Sequence, residues 1–368
     1  MKFGLFLLSQ APEGVMTPAE ALHRELDQAR LAEELGFDAI WVAEHHQSSY
    51  CVVADTVTYA AHLAAITQRI RIGLAVSVLP LRNPLDFAER TALVDILSNG
   101  RLDVGVGRGN SASEFETYGM GLDERRGRFE EALDFVLRAW TEQHFDFEGE
   151  FWRFHNVAIY PTPTQTPHPP VFVASSGSVE TMQLIAKRGL PLLISESFMT
   201  PEKMGTRLRE YRDLAIEAGH SADAAQYASD RTWIAQKSYL ASTTAEAREF
   251  AAPYVEWRHR KQFDLAIPQA SPTLASKLRK HAPALKPILS KPHMKDPAEV
   301  TGEDLVQFDL FGTPDDCIEK LLAFERAGVR NVILSFSYGG MPDEAVRNSM
   351  QLFAKEVMPA LERSTVFA

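Results

Sequence analysis

Gly36-Phe37-Asp38-Ala39-Ile40-Trp41-Val42-Ala43-Glu44-His45-His46 is the stretch that decides the fold. A helical pattern closes on Leu35-Gly36-Phe37, and a short apolar strand follows from Asp38 to Val42. The strand then runs into two adjacent histidines beside a carboxylate. In alternating β/α proteins the C-terminal mouth of a strand is where chemistry is done. Histidine titrates nearest neutrality, and a neighbouring carboxylate can orient or tune it. Glu44 and His45 are therefore the candidate catalytic pair, against the plainer reading that one histidine only hydrogen-bonds a loop.

The same alternation extends in both directions. Lys2 to Leu8 reads as a first strand, and Thr17-Pro18 opens a helix as a capping residue followed by a first-turn proline. Residues 54–66, rich in alanine, read as a second helix and Ile70 to Val76 as a third strand. Asn83-Pro84 opens a third helix that Asn99-Gly100 closes. Leu102 to Val106 is the fourth strand, and a β-hairpin around Glu148-Gly149-Glu150 precedes the fifth, Val171 to Ala174. Strands at Leu192 to Ser195, Thr232 to Leu240 and Val332 to Ser335 complete a set of eight. Eight strands separated by helices, with no polar hinge between halves, predict one parallel (β/α)₈ TIM barrel over residues 1–368 rather than an open doubly wound sheet.

Composition narrows the class. The chain has 368 residues, 45% hydrophobic and 24% charged, ordinary for a soluble globular enzyme. No apolar run approaches the ~20 residues that span a bilayer. The N-terminus has neither a basic region nor a small-residue cleavage site, so no signal peptide is expected and the cytoplasm is the expected compartment. Two cysteines, Cys51 and Cys317, make no disulfide framework. A net charge of −11 argues against nucleic acid or an anionic membrane as partner. One segment breaks the trend: from Arg258 to Ala298 nine Lys or Arg face two Asp, and six of the 21 prolines fall there. Such a stretch is either a solvated linker or a mobile loop serving an anionic ligand.

Two loops carry anion chemistry. Asp103-Val104-Gly105-Val106-Gly107-Arg108-Gly109-Asn110 follows the fourth strand. From Gly107 it fits a loose dinucleotide-binding pattern, but it lies far into the chain and lacks the acidic strand end that such a fold requires. The better reading is that glycines admit a ligand closely while Arg108, with Asn110 beside it, meets a phosphate. Val173-Ala174-Ser175-Ser176-Gly177-Ser178 runs from a strand into a helix start, where backbone N–H groups, the hydroxyls of Ser175 and Ser176, and Gly177 make an anion site. A phosphate-bearing cofactor accounts for both loops. A metal site is not expected, because adjacent histidines point to opposite faces and no other ligand cluster completes a set. Cys51 reads as a small buried residue, and Trp233 as core packing.

Taken together and in order, these pieces resemble the bacterial luciferase-like family of flavin-dependent monooxygenases, its luciferase α-type chains included. The resemblance rests on Lys2-Phe3-Gly4-Leu5-Phe6-Leu7-Leu8, on the stretch Gly36 to His46, on Gly100-Arg101-Leu102 to Gly109, and on Ala186-Lys187-Arg188-Gly189-Leu190-Pro191. It implies a two-component monooxygenase that uses reduced FMN and dioxygen to oxygenate a small organic substrate through a flavin hydroperoxide. The reduced flavin would come from a separate reductase, and the chain would form a homodimer through the helices at 54–66 and after Asn83.

By the same resemblance His45 is the active-site histidine, and Arg108, Ser176 and Arg126 hold the phosphate. Ala75-Val76 forms a non-prolyl cis peptide under the flavin ring, and the basic segment at about 258–298 is a lid. Departures at Gly107, Ser175, Val179 and Glu196 put light emission and long-chain aldehyde specificity in doubt. The alternatives left open are a deazaflavin-dependent hydride-transfer enzyme of the same superfamily and a flavin-binding protein without turnover.

Overall fold

The protein is described from a computed structural model that covers residues 1–175, 178–195, 199–266 and 300–364. Its strands are β1 (Lys2–Leu7), β2 (Ala39–Val42), β3 (Arg71–Leu74), β4 (Ser77–Val78), β5 (Leu102–Gly107), β6 (Phe145–Glu148), β7 (Arg153–Val157), β8 (Val171–Ser175), β9 (Leu192–Ile194), β10 (Trp233–Leu240), β11 (Leu310–Gly312) and β12 (Asn331–Ser335). The helices used below are α1 (Pro18–Glu34), α2 (Thr56–Ile66), α3 (Pro84–Leu97), α4 (Ala112–Thr117), α5 (Arg125–Thr141), α6 (Val179–Lys187), α7 (Pro201–Glu217), α8 (Ala222–Asp230), α9 (Thr244–Ala266), α10 (Gly302–Leu305), α11 (Pro314–Arg326) and α12 (Asp343–Leu352).

Parallel pairing runs β1-β2-β3-β5-β8-β9-β10-β12 and returns to β1, closing the eight-stranded barrel expected from the sequence. The hairpin before β8 is also present, as β6 and β7. Capping chemistry fixes where the outer helices begin. Thr17 accepts from Glu20 N while the Glu20 carboxylate returns to Thr17, and Thr313 with Asp316 repeats this box at α11. Asn99 and Gly100 end α3 with φ of 55° and 74°, the left-handed turn that releases the chain into β5.

Three features depart from the sequence reading. The third strand does not run through to Val76. It stops at Leu74, and after the cis Ala75–Val76 peptide the chain resumes as β4 beside β5. A further parallel strand, β11, lies outside the ring on the end of β10. The basic segment does not start as a loop: residues 258–266 are the last turns of α9, and Arg258 is buried there. The rest of the expected lid, 267–298, lies outside the described residues.

The lumen is filled by aromatics. Trp41 is fully buried inside the ring, edge-on to Phe172 (5.3 Å between ring centroids) and to Trp233 (5.4 Å), with Ala39, Leu193 and Ile333 completing the cluster. Its indole fits because the flanking strands carry glycine. A Cβ at Gly73 would lie 2.2 Å from Trp41 Cε3, and one at Gly4 would lie 2.8 Å from Cδ1. Beneath this plug Arg71 holds the buried Asp103 through two bonds of 2.6 and 2.8 Å. Above it the lumen-facing side chains Phe6, Ala75, Val76 and Ala235 are partly exposed.

Gly73→Ala should therefore lower the unfolding free energy by about 2 kcal/mol or more, because a backbone-bound methyl cannot avoid the indole. A urea midpoint unchanged from the parent would show that the plug tolerates displacement.

Candidate active site

The C-terminal mouth of the barrel gathers the residues singled out from the sequence. Beyond Val42 the chain leaves β2 and separates the two histidines. His45 Nδ1 lies 3.0 Å from Glu114 Oε1, and His46 N donates to the same oxygen at 2.9 Å. The His46 ring is fully engaged: Nε2 meets Glu44 Oε1 at 3.2 Å and Nδ1 meets the Tyr118 hydroxyl at 3.1 Å. A carboxylate accepts only, so Nδ1 of His45 is the donor to Glu114 and Nε2 is left without a partner among the described residues. His45 is also the more exposed of the two, at 23% against 6%. It packs edge-on against Tyr50, ring centroids 5.0 Å apart.

Glu44 does not contact His45 in this arrangement. It is sealed from solvent and accepts from Arg82 Nη2 (2.5 Å), Val78 N (3.2 Å), Thr56 Oγ1 (3.4 Å) and His46. Its bond to Val78 N ties the strand end of β2 to the chain just past the cis peptide. The sequence pairing of Glu44 with His45 is thus replaced by two separate pairs, Glu44 with His46 and Glu114 with His45. Glu114 sits at the start of α4, where Ser111 caps its backbone N–H. The sequence reading missed it, although Ser111-x-x-Glu114 is the spacing of a capping box.

Across the mouth stands a group of guanidinium side chains. Arg108 follows β5, is half-buried, and makes no hydrogen bond or ion pair among the described residues. Burial and then the charges of Arg125 and Arg126 hold it below the ordinary arginine range, with Glu130 and Glu180 offsetting part of the effect. Arg126 is exposed and bridges to Glu130 at 2.7 Å. Arg125, which the sequence reading passed over, has no partner among the described residues. Its signal was present: arginines in the first turn of α5 oppose the helix dipole, which favours anions at that end. Glu180, whose charge reaches Arg108, lies in the first turn of α6, capped by Ser178, so the start of α6 faces the same group.

The other predicted residues fall around this group. Asn110 is exposed after β5, and Ser175 is buried at the end of β8. Ser176, Gly177 and Glu196 lie outside the described residues. The glycines allow close packing: a Cβ on Gly107 would meet Val76 Cγ2 at 2.6 Å and Ala174 Cβ at 3.5 Å. Phe6, Ala75, Val76 and Ala235 pack over the lumen cluster, with Ala174 beside Val76 at Gly107, and form a low apolar shelf at the mouth. Cys51 is buried and burial pushes its thiol up, as expected of a packing residue.

A closed (β/α)₈ barrel whose histidine, guanidinium group and apolar shelf share one mouth defines the architectural class. Within it, the chain belongs to the luciferase-like monooxygenase family, which it matches over residues 1–331. It is 27% identical over 364 residues to the alkanal monooxygenase alpha chain of Photorhabdus laumondii, covering 98% of each chain. It is 25% identical over 370 residues to the oxygenase component of a flavin-dependent trigonelline monooxygenase from Acinetobacter baylyi, covering 100% of this chain and 97% of the relative. Among solved structures, a monooxygenase from Streptomyces bottropensis superposes with a TM-score of 0.80 at 28% identity, covering 98% of this chain and 100% of that one. No helix among the described residues is long and apolar enough to cross a membrane.

Proposed function

We propose that this chain is the oxygenase component of a two-component monooxygenase, using reduced FMN and dioxygen to oxygenate a small organic substrate. The observation that carries this reading is the group of guanidinium charges at Arg108 and Arg125, which have no carboxylate in contact among the described residues. Such a cluster is favourable only when an anion joins it. A flavin phosphate suits the place, because the N-termini of α5 and α6 aim backbone N–H groups toward it. Arg108, Arg125, Asn110 and Ser175 would hold the phosphate end, with Arg126 beside them. The shelf of Ala75, Val76 and Ala174 offers a flat apolar surface to the ring system.

Reduced FMN supplies the electrons with which dioxygen is activated. The chain's own residues bind, orient and manage protons. Glu114 fixes the His45 tautomer, so His45 Nε2 is the one basic nitrogen of the histidine pair free to take or return a proton at the reacting centre. Glu44, locked between Arg82 and His46, anchors the backbone on which His45 rides. Nothing in the sequence resembles a nicotinamide-binding domain, which supports a separate reductase as the source of reduced flavin.

We also propose a homodimer. Helix α3 leaves Leu93, Ile96 and Leu97 exposed at 46%, 37% and 57%, and the outer side of α2 carries Thr58 and Ala65. An apolar stripe beside small residues suits close helix packing across a two-fold axis. Light scattering should return twice the chain mass at micromolar concentration, and a monomer there would remove the proposal.

Arg108→Ala should weaken anaerobic binding of reduced FMN by ~1.5–3 kcal/mol, the loss of a charge-assisted bond. Riboflavin, which lacks the phosphate, should be little affected. Equal losses for both flavins, or a protein that prefers a reduced deazaflavin and ignores oxygen, would overturn the FMN reading.

His45→Ala should keep FMN affinity within a few-fold. Product formation on a substrate found by an oxygen-dependent screen should drop by ~10²-fold or more. Near-normal turnover would make His45 a structural residue like its neighbour.

A further inference from the structure

A second cationic position stands on the far side of the mouth and is not absorbed by the flavin reading. Arg258, on α9, is only 8% exposed. Its Nη1 donates to Ser335 Oγ at 3.3 Å, and its Cζ lies 5.4 Å from the centre of the Tyr338 ring. Nε is buried without a hydrogen-bond partner among the described residues. Nη2 makes no hydrogen bond among the described residues and is not sealed in. No carboxylate pairs with this guanidinium among the described residues.

Two other enclosed arginines are more fully engaged, although Arg82 also has a buried Nε without a partner among the described residues. Arg101, equally buried at 9%, is saturated by Thr67 Oγ1 and the carbonyls of Ser98, Ile70, Ala64 and Thr67. Arg82 has Glu44 and Asp55. A buried cation without a counter-charge is costly, and one that lacks it in the free protein is complementary to an anion brought from outside.

The position of Arg258 says what that anion belongs to. Ser335 ends β12, and alternation from the lumen-facing Ile333 puts its hydroxyl on the lumen side. In the ring, β12 is diametrically opposite β5, the strand that delivers Arg108. A phosphate held at Arg108 therefore leaves Arg258 on the other side of the shelf. A second unpartnered buried donor, Gln10 Nε2, lies on the same edge, with Gln10 Oε1 accepting from Gly339 N at 2.8 Å. The nearby Lys237, which pairs in register with Ser335, is already neutralised by Asp309 at 2.8 Å. Among the described residues, Arg258 is thus the uncompensated charge on this side. Nη2, the nitrogen of this guanidinium that is not sealed in, keeps its N–H donors for a carboxylate.

We propose that Arg258, steadied by Ser335 and Tyr338, anchors a carboxylate of the organic substrate. This chain accordingly selects carboxylate-bearing molecules over neutral ones of the same size. The inference rests on the monooxygenase reading only for the word substrate; the anion site stands on the geometry of Arg258 itself. It predicts charge selectivity, which a guanidinium retained merely to pack on Tyr338 would not give.

The test is calorimetric titration of the full-length protein with octanoate and with octanamide, with and without reduced FMN under anaerobic conditions. The parent should bind octanoate at least tenfold more tightly than octanamide. Arg258→Gln should abolish that preference and leave octanamide and FMN affinities within a few-fold. Arg258→Lys, which keeps the charge but loses the planar guanidinium donor, should lose several-fold on octanoate alone. Arg108→Ala should leave the octanoate preference intact, which excludes binding at the phosphate position. A parent that does not distinguish acid from amide, or an Arg258 variant that weakens both equally, would overturn the proposal. Octanoate preference in a protein that fails to bind FMN would instead remove the flavin reading and leave the anchor standing.

Discussion

The seating of Trp41 across the barrel lumen is the constraint on which the mouth depends. An indole buried in a narrow ring has a large apolar surface removed from water, a stabilisation of ~2–3 kcal/mol or more for the side chain. It can sit there only because β1 and β3 present Gly4 and Gly73 to its two sides. With Phe172 and Trp233 edge-on to it, the plug fixes the height of the lumen floor. The layer above then consists of alanines, Val76 and Phe6, so the mouth is left shallow and apolar. A larger residue at position 75 or 174 would fill that shallow space. Core packing and ligand room are set by the same alternation of large and small side chains along the strands.

Charge is distributed with the same economy. The chain as a whole is acidic, at −11, yet among the described residues Arg108 and Arg125 on one side of the rim, and Arg258 on the other, have no contacting carboxylate. Elsewhere carboxylates are used to immobilise structure. Glu44 is enclosed by Arg82, His46, Thr56 and Val78 N, and Glu114 by the two histidines. The contrast separates groups that hold the site from groups available to a ligand. A guanidinium already paired with a carboxylate has little to gain from a second anion, whereas Arg108, Arg125 and Arg258 have that interaction still to make.

The barrel was legible in the sequence because its signals are local. Apolar runs bounded by glycine, and Thr-Pro or Asn-Pro steps at helix starts, mark each β/α unit, and Thr17, Asn83, Thr200 and Thr313 all cap helices as those steps imply. His45 and Arg108 were legible for the same reason: each follows a recognisable strand. What escaped depends on contacts between distant segments or on short elements. Helix α4 has only six residues and no apolar periodicity, so Glu114, 69 positions from His45, was hidden. Strand β11 has three residues and lies in sequence against a cap. Arg258 was counted as one charge in a basic run, because composition cannot distinguish a solvated arginine from one folded onto Tyr338.

The fate of the two histidines shows how neighbouring identical residues acquire different roles. Past the strand end their backbones still alternate, so the rings leave in different directions and meet different partners. His46 finds an acceptor on one nitrogen and a hydroxyl on the other, and both are spent inside the fold. His45 finds one acceptor among the described residues, on Nδ1, and its ring is the more exposed of the two. Glu114 enforces both outcomes with a single oxygen, binding the side chain of one residue and the backbone of the next. Because the two bonds share an atom, moving the His45 ring would also disturb the peptide that orients His46 and, through Glu44, the chain beyond the cis peptide. The His45 ring is therefore held by the same network that engages His46 and Glu44, so the geometry of this side of the mouth is set as one unit.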